Sequence, residues 1–415
     1  MRPSIPMAIA VAVVTLSAGG WARADSNARA VELLSAESYS QPEAAALLLD
    51  ASLSSENFVE IVKKSGGSGK VMETLSLLAS SPGVVGSRFD ELLEAVVAFP
   101  NSEAAEYLAN NRYLTDQQVD KIGEAVTRNP DSRLALAFVR GGAAGSAELD
   151  SLVDLIVLGK AGIVSTVVAG SNGLTADSQK KLLFASGQNP DSDVARAFAR
   201  NPFLNDDTMD SLGASAIKSP VGALAEGFSS NSGMKAPQMA ALAQVAIEMP
   251  DSGVAAGIGS NRGLNSSTFS QFEPVVADNP YCRLSVALAG NPNLPDSIFA
   301  TLSSAIDKDE VGEMSAALAG RGGAASNEVR AAELANMAIS NANLSICEAL
   351  IDNPAVPPAH LAALHQEAAR VPGSALSSAF IEQIREKRFR GGRAEKMKIL
   401  EAALMSGEVD SISNR

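Results

Sequence analysis

Apolar residues recur along this chain in short segments with helical spacing. Residues 134–138 read Leu-Ala-Leu-Ala-Phe, and residues 194–198 repeat the pattern as Val-Ala-Arg-Ala-Phe. A longer stretch that includes Val119, Ile122 and Val126 also has the spacing of one helix face. Strict alternation of apolar and polar residues, which is typical of strands, is not sustained anywhere. The pattern predicts an all-α chain in which short and longer helices alternate.

Prolines mark the repeat of this pattern, because six of the 19 fall on a grid of thirty residues. They stand at Pro100, Pro130, Pro190, Pro220, Pro250 and Pro280. In a segment such as Asn129–Ser132 (Asn-Pro-Asp-Ser), Asn is a good N-cap, Pro favours the first helical position and Asp suits the first turn. We therefore expect a helix to begin at each of these prolines. A fixed period in this range is typical of stacked helical repeats.

A column of asparagines marks a second fixed position in each repeat. Its clearest members are Asn111, Asn201, Asn231, Asn261 and Asn291. Each follows the first helix, and a new cap comes a few residues later, as in Thr115–Gln118, which matches a capping box. Each repeat is therefore predicted to be helix–turn–helix. The fold class predicted is an α-solenoid, a superhelix of about ten such units with a 30-residue period.

Two segments resemble those of a known repeat family. Residues 291–295 read Asn-Pro-Asn-Leu-Pro, and residues 353–357 read Asn-Pro-Ala-Val-Pro. The pattern resembles the bacterial leucine-rich repeat variant, which is related in style to HEAT and armadillo arrays. Over residues 70–385 the resemblance implies a right-handed solenoid of helical pairs. The family's usual period is shorter than thirty residues, and the cysteine cluster that holds an iron–sulfur centre in one member is missing here, so no cofactor is implied.

The N-terminus has the features of a secretory signal peptide over residues 1–24. Arg2 gives a small positive region, residues 7–16 are apolar, and Ala22-Arg23-Ala24 fits a cleavage site. We expect cleavage after Ala24 and a periplasmic or secreted protein, with an uncleaved membrane anchor as the alternative. Residues 25–68 are expected to form an N-terminal helical cap, residues 69–385 the repeat array, and residues 386–415 a basic C-terminal helical cap or tail.

Charge and composition exclude some classes of function. The formal net charge is −14 and aromatic residues make up only 4% of the chain. An acidic chain without regular aromatic residues is a poor binder of nucleic acid, which requires a cationic surface. Cys282 and Cys347 lie two repeats apart, so at 8–10 Å per helical layer their Cα atoms should be about 15–20 Å apart. That is beyond the reach of a disulfide, and we expect two separate buried thiols.

Few residues are candidates for chemistry. His360 and His365 are five residues apart without a matching acidic partner, so we expect solvent-facing or rim residues and no zinc site. No nucleophile elbow, phosphate loop or dinucleotide fingerprint lies in a suitable context. We therefore predict no catalytic, metal or cofactor residues.

Two groups are candidates for contact with a protein partner. The first is Asn201, Asn231, Asn261 and Asn291, whose amides could hold an extended peptide if they face an open groove. The second is the basic group Arg385, Lys387, Arg388, Arg390 and Arg393. The alternative interpretation makes the asparagines structural, since Asn caps turns and tolerates left-handed backbone. The basic group could equally be a solvated helix end.

Together these features predict a non-catalytic, exported repeat protein that acts as a protein-binding or assembly scaffold in the cell envelope. The alternative is an envelope enzyme with an unrecognised carboxylate site.

Overall fold

The computed structural model describes residues 26–36, 39–309, 312–320, 325, 327–340, 344–385, 396, 398–399 and 401–402. Over these residues the chain forms helices and turns and no strand. The predicted signal peptide, residues 1–24, lies outside them. Among the described residues, no helix combines the length and the apolar character that crossing a bilayer requires.

Contacts divide the chain into two units, Met1–Val167 and Val168–Arg415, a division that the sequence analysis did not predict. In unit 1 the helices are α1 (Ser26–Ser35), α2 (Gln41–Leu48), α3 (Ser55–Lys64), α4 (Gly69–Ser80), α5 (Pro82–Ala98), α6 (Glu103–Ala109), α7 (Asp116–Arg128), α8 (Arg133–Arg140) and α9 (Ser146–Val157). The short helix α10 (Ser165–Ala169) contains the division.

Unit 2 continues the same alternation of short and longer helices. They are α11 (Ala176–Gln188), α12 (Asp193–Ala199), α13 (Asp206–Lys218), α14 (Ala223–Ser229), α15 (Ala236–Glu248), α16 (Gly253–Ser260), α17 (Ser266–Asp278), α18 (Arg283–Ala289), α19 (Asp296–Ala305), α20 (Glu313–Ala319), α21 (Glu328–Ser340), α22 (Leu344–Asp352), α23 (Pro358–Arg370) and α24 (Ala375–Arg385). A 3₁₀ turn, Ile306–Lys308, follows α19. Within each unit the short helices stack on one another in sequence order. The predicted all-α, solenoid-like repeat class is confirmed.

The prediction that a helix begins at each proline is wrong. Asn129 ends α7 with φ −131° and ψ 65°, because a following proline keeps the preceding residue out of helical conformation. The next helix begins at Arg133. Its N-cap is Ser132, whose hydroxyl accepts a hydrogen bond from the Ala135 N–H at 3.1 Å. The proline therefore ends the long helix, and the serine starts the short one.

The predicted start of the long helix α7 is confirmed. Thr115 accepts a hydrogen bond from the Gln118 N–H at 3.4 Å, and the Gln118 side chain accepts one from the Thr115 N–H at 2.9 Å. This reciprocal pair satisfies two backbone donors that would otherwise have no partner within the helix.

The short helices of unit 2 pack backbone against backbone, and glycine makes this possible. A Cβ atom added at Gly227 in α14 would lie 2.3 Å from the carbonyl oxygen of Arg196 in α12. One added at Gly257 in α16 would lie 2.3 Å from that of Glu226. Behind these contacts the fully buried Phe198 and Phe228 fill the core.

The turns that carry the prolines form a second line of contacts, which we call the proline edge. In unit 2 it comprises residues 189–192, 219–222, 249–252 and 279–282. In unit 2 the carbonyl oxygen of Pro190 accepts the Leu224 N–H at 2.8 Å, and that of Pro220 accepts the Val254 N–H at 2.9 Å. The carboxylate of Asp191 accepts the Ala223 N–H at 3.2 Å. Each turn therefore caps the short helix of the next repeat.

Candidate functional site

The four asparagines proposed from sequence as partner contacts, Asn201, Asn231, Asn261 and Asn291, form an internal ladder in unit 2. We call them the asparagine ladder. Their side chains are only 0–2% exposed. In Asn231, Nδ2 donates to the carbonyl oxygens of Ala199 and Asn201, both at 2.8 Å, and Oδ1 accepts the Gly233 N–H at 2.8 Å. The other three make the corresponding bonds to backbone 30 and 32 residues earlier and two residues later.

This geometry corrects the partner-binding interpretation of these four residues. A peptide could use the amides only if they faced an open groove, and they are buried with donors and acceptor engaged. Because backbone carbonyls in a buried turn need donors, one amide per repeat satisfies two of them. The alternative interpretation, a structural column, is the one that fits the contacts.

The basic group lies largely outside the described residues. Arg385 is the last residue of α24, where only its backbone is described. Lys387, Arg388, Arg390 and Arg393 are not among the described residues, so their role as partner contacts stays a prediction.

The structure contradicts the expectation for one histidine and confirms the expectation for the two cysteines. His365 is buried, and its ring centroid lies 4.7 Å from that of Phe380, so the expectation of a solvent-facing side chain is wrong for this residue. His360 is half-buried. Cys282 and Cys347 are both buried free thiols, which confirms that they form no disulfide. Burial raises the pKa of the Cys347 thiol to about 11, so it stays protonated at neutral pH.

One candidate surface lies at the proline edge of unit 2, where a cleft of about 530 Å³ opens. We call it the proline-edge cleft. It is lined by Leu183, Gly187, Pro190, Asp191, Ser215, Lys218, Ser219, Val221, Gly222, Leu224 and Ala225. Val221 is 65% exposed, and the neighbours in sequence of two other lining residues, Phe184 and Ile217, are exposed large apolar side chains. Among the residues that line the cleft itself, Val221 is the exposed large apolar side chain, and Asp191, Ser215, Lys218 and Ser219 make part of the lining polar.

Val221 has no side-chain acceptor at a position where the two flanking repeats have an aspartate. Thirty residues before and after it stand Asp191 and Asp251, whose carboxylates accept the N–H groups of Ala223 and Arg283 in the next repeat. A valine cannot accept such a bond. This repeat therefore lacks a structural contact and has an exposed apolar side chain in its place.

A second candidate site lies on the short helices near the end of unit 2. Its volume is about 440 Å³, and its lining comprises Ala316, Ser345, Glu348, Ala349, Ile351, Asp352, Ala379, Glu382 and Gln383. We call it the acidic pocket, because three carboxylates line it and, among the residues that the structure describes, no cationic side chain does. Within the described part of the chain, no group of three or more His, Cys, Asp or Glu residues has an arrangement that could hold a metal ion.

Comparison of the chain with protein-family models, curated proteins and solved structures finds no match. The function must therefore be argued from the two surfaces themselves.

Neither surface was found by sequence reasoning. The proline-edge cleft carried only a weak signal, since aspartate occupies every second position of this column, at Asp131, Asp191 and Asp251, with Ala161, Val221 and Tyr281 between them. The acidic pocket carried none, because Glu348 and Glu382 are ordinary acidic residues until two successive short helices bring them together.

Proposed function

We propose that the protein is a non-catalytic, exported scaffold of the cell envelope, built from repeats in the style of the leucine-rich repeat variant and HEAT families. In this proposal the proline-edge cleft binds a protein partner. One observation carries it, the exposed Val221 at a position where neighbouring repeats use an aspartate to hold the next helix.

The physical reason is that the exposed valine and the missing acceptor both make the unbound protein less stable. An exposed apolar side chain gains no burial energy until something covers it. Val221 also offers no acceptor for the Gly253 N–H, so the repeat lacks a hydrogen bond that the flanking repeats make. A bound apolar segment would cover Val221.

The test uses a photo-crosslinking residue, benzoylphenylalanine, at position 221 in cells that produce the protein. We expect a discrete crosslinked product with one partner protein. In a second set of experiments the crosslinking residue stands at position 187, which also lines the cleft. There V221D should abolish the crosslink and keep the protein folded, because an aspartate at position 221 can accept the Gly253 N–H as its counterparts do. The matched control is V329D, since Val329 is 78% exposed and lies on α21, away from the cleft lining. Equal complex formation by both variants would refute the assignment.

One observation favours the alternative of an envelope enzyme, namely the three carboxylates around the acidic pocket. Paired carboxylates can act as general acid and base on a glycosidic bond. Hydrolysis of glycoside substrates by the purified protein, lost when Glu348 and Glu382 are replaced by glutamine, would overturn the scaffold proposal.

A further inference from the structure

The acidic pocket is built from three successive short helices. Glu348 and Asp352 are four residues apart on α22, so they lie on one helix face. Glu382 and Gln383 come from α24. Small side chains, Ala316, Ala349 and Ala379, line the pocket between these polar groups. The pocket therefore has acidic groups from two helices and an apolar lining from three.

Asn353 makes bonds of the ladder type, because its Nδ2 donates to the carbonyl oxygens of Ala319 and Ala325 and its Oδ1 accepts the Ala355 N–H. Gln383 stands thirty residues after it. Residues 284–291 read Leu-Ser-Val-Ala-Leu-Ala-Gly-Asn, and residues 376–383 read Leu-Ser-Ser-Ala-Phe-Ile-Glu-Gln. In the ladder, the asparagine Oδ1 accepts the N–H two residues later, as in Asn291 with Asn293. Here the helix continues to Arg385, so that N–H is not turned back toward the side chain.

As a result, Gln383 has an acceptor with no hydrogen-bond partner. Its side chain is only 2% exposed and its Nε2 donates to the carboxylate of Asp352, but its Oε1 is buried and receives no hydrogen bond. Buried polar atoms are nearly always satisfied. An unsatisfied oxygen on a residue that lines a pocket indicates that a donor from a ligand completes the site.

The chemistry of the lining defines the ligand. Three carboxylates and an amide oxygen are all acceptors, so the ligand must donate hydrogen bonds and carry positive charge. A guanidinium group offers five donors in a fixed plane and can bridge acceptors on two helices, whereas an ammonium is a compact point charge. The alanine lining suits the methylene stem of an arginine side chain.

We propose that the acidic pocket binds the guanidinium group of an arginine in an extended segment of a partner protein. This inference rests on the proposed function, since it takes the arginine to belong to a bound protein. The crosslinking test concerns a different site, because the acidic pocket and the proline-edge cleft share no lining residue.

The experiment measures binding by calorimetry, at physiological salt, with the full mature chain. The probes are a capped Ala-Ala-Arg-Ala-Ala peptide and the same peptide with citrulline, the neutral analogue of arginine. We expect the arginine peptide to bind at least about tenfold more tightly than the citrulline peptide, because charge-assisted hydrogen bonds are lost in the second. Equal affinity for the two peptides would overturn the proposal, and so would equal or tighter binding of free arginine amide, which would indicate a small-molecule site.

Two variants locate the binding in the pocket. E348Q removes an exposed carboxylate from the lining, and Q383M removes the unsatisfied oxygen with a side chain of similar length. Each should weaken the arginine peptide by about tenfold or more. The matched control is D278N, which makes the same charge change as E348Q on α17, away from the pocket lining. Equal weakening by D278N would mean general attraction to an acidic chain and would overturn the proposal.

The outcomes separate the two proposals. Peptide binding without a crosslinked partner at position 221 would leave the acidic pocket assigned and would refute the proline-edge cleft as the partner-binding surface. A crosslinked partner without arginine-specific binding would leave the scaffold function standing and refute the pocket. Melting curves of E348Q and Q383M identify any loss of binding that comes from unfolding.

Discussion

Asn231 is the best position at which to test how much the asparagine ladder contributes to stability. The variant N231A removes one amide that serves three backbone groups, the carbonyl oxygens of Ala199 and Asn201 and the N–H of Gly233. Each buried polar group left unsatisfied costs about 1–3 kcal/mol. Water that enters the vacated space would offset part of this cost, so we expect unfolding free energy to fall by about 3–5 kcal/mol.

The assay is urea denaturation followed by far-ultraviolet circular dichroism, because the mature chain would contain no tryptophan once Trp21 is removed. Repeat proteins can unfold in more than one step. Hydrogen exchange of the α14 and α16 amides therefore serves as a local readout. Protection in these two helices should fall more than in α22 and α24.

The matched control is N293A. The Asn293 side chain donates to a backbone carbonyl one repeat away, that of Arg262, at 3.0 Å, but this bond is exposed to solvent. Loss of this hydrogen bond should lower the free energy of unfolding by about 0.5–1.5 kcal/mol at most. The isosteric variant N231D tests the role of the donor at constant volume and should be at least as harmful as N231A, since a carboxylate would face two carbonyl oxygens. Equal stability of N231A and N293A would refute the ladder as a source of stability.

Three further predictions concern packing, reactivity and export. In urea denaturation, G257A should lower the free energy of unfolding by about 1–3 kcal/mol, because its Cβ would meet the Glu226 carbonyl in a tight backbone contact. By contrast, a Cβ at position 187 would have nothing within 4 Å, so G187A should raise the free energy of unfolding by up to about 1 kcal/mol. The Cys347 thiol, with its pKa raised to about 11 by burial, should resist iodoacetamide at neutral pH in the native protein and react after denaturation, as mass spectrometry would show. N-terminal sequencing of the envelope protein should begin at the residue after Ala24, and an intact N-terminus would refute cleavage.

Local signals accounted for the parts of the fold that the sequence predicted well. The capping box of Thr115 and Gln118 depends on residues three apart, so it can be read directly. The segment Asn129–Ser132 was misread for a physical reason. Asn and Pro are favoured at a helix start, and a proline also ends the helix before it. Only the backbone geometry shows which effect decides.

The candidate sites depended on information that a single sequence does not carry. The burial of Asn231 follows from the way one turn stacks on the turn before it, thirty residues earlier. The pocket around Gln383 depends on the register between α22 and α24. Neither register can be derived from helix propensity or spacing. The sequence does not single out Val221 either, because aspartates alternate with other residues at this position of the repeat.

The bonds of the asparagine ladder have a consequence for how this chain can evolve. Each asparagine binds only the turn of the preceding repeat and its own turn, and the same three bonds recur at Asn231 and Asn261. Loss or duplication of thirty consecutive residues would give every amide an equivalent set of partners. Insertion of a single residue inside a turn would leave one amide without them. Loss or gain of a whole module therefore preserves these bonds, whereas an insertion inside a turn costs the bonds of one amide.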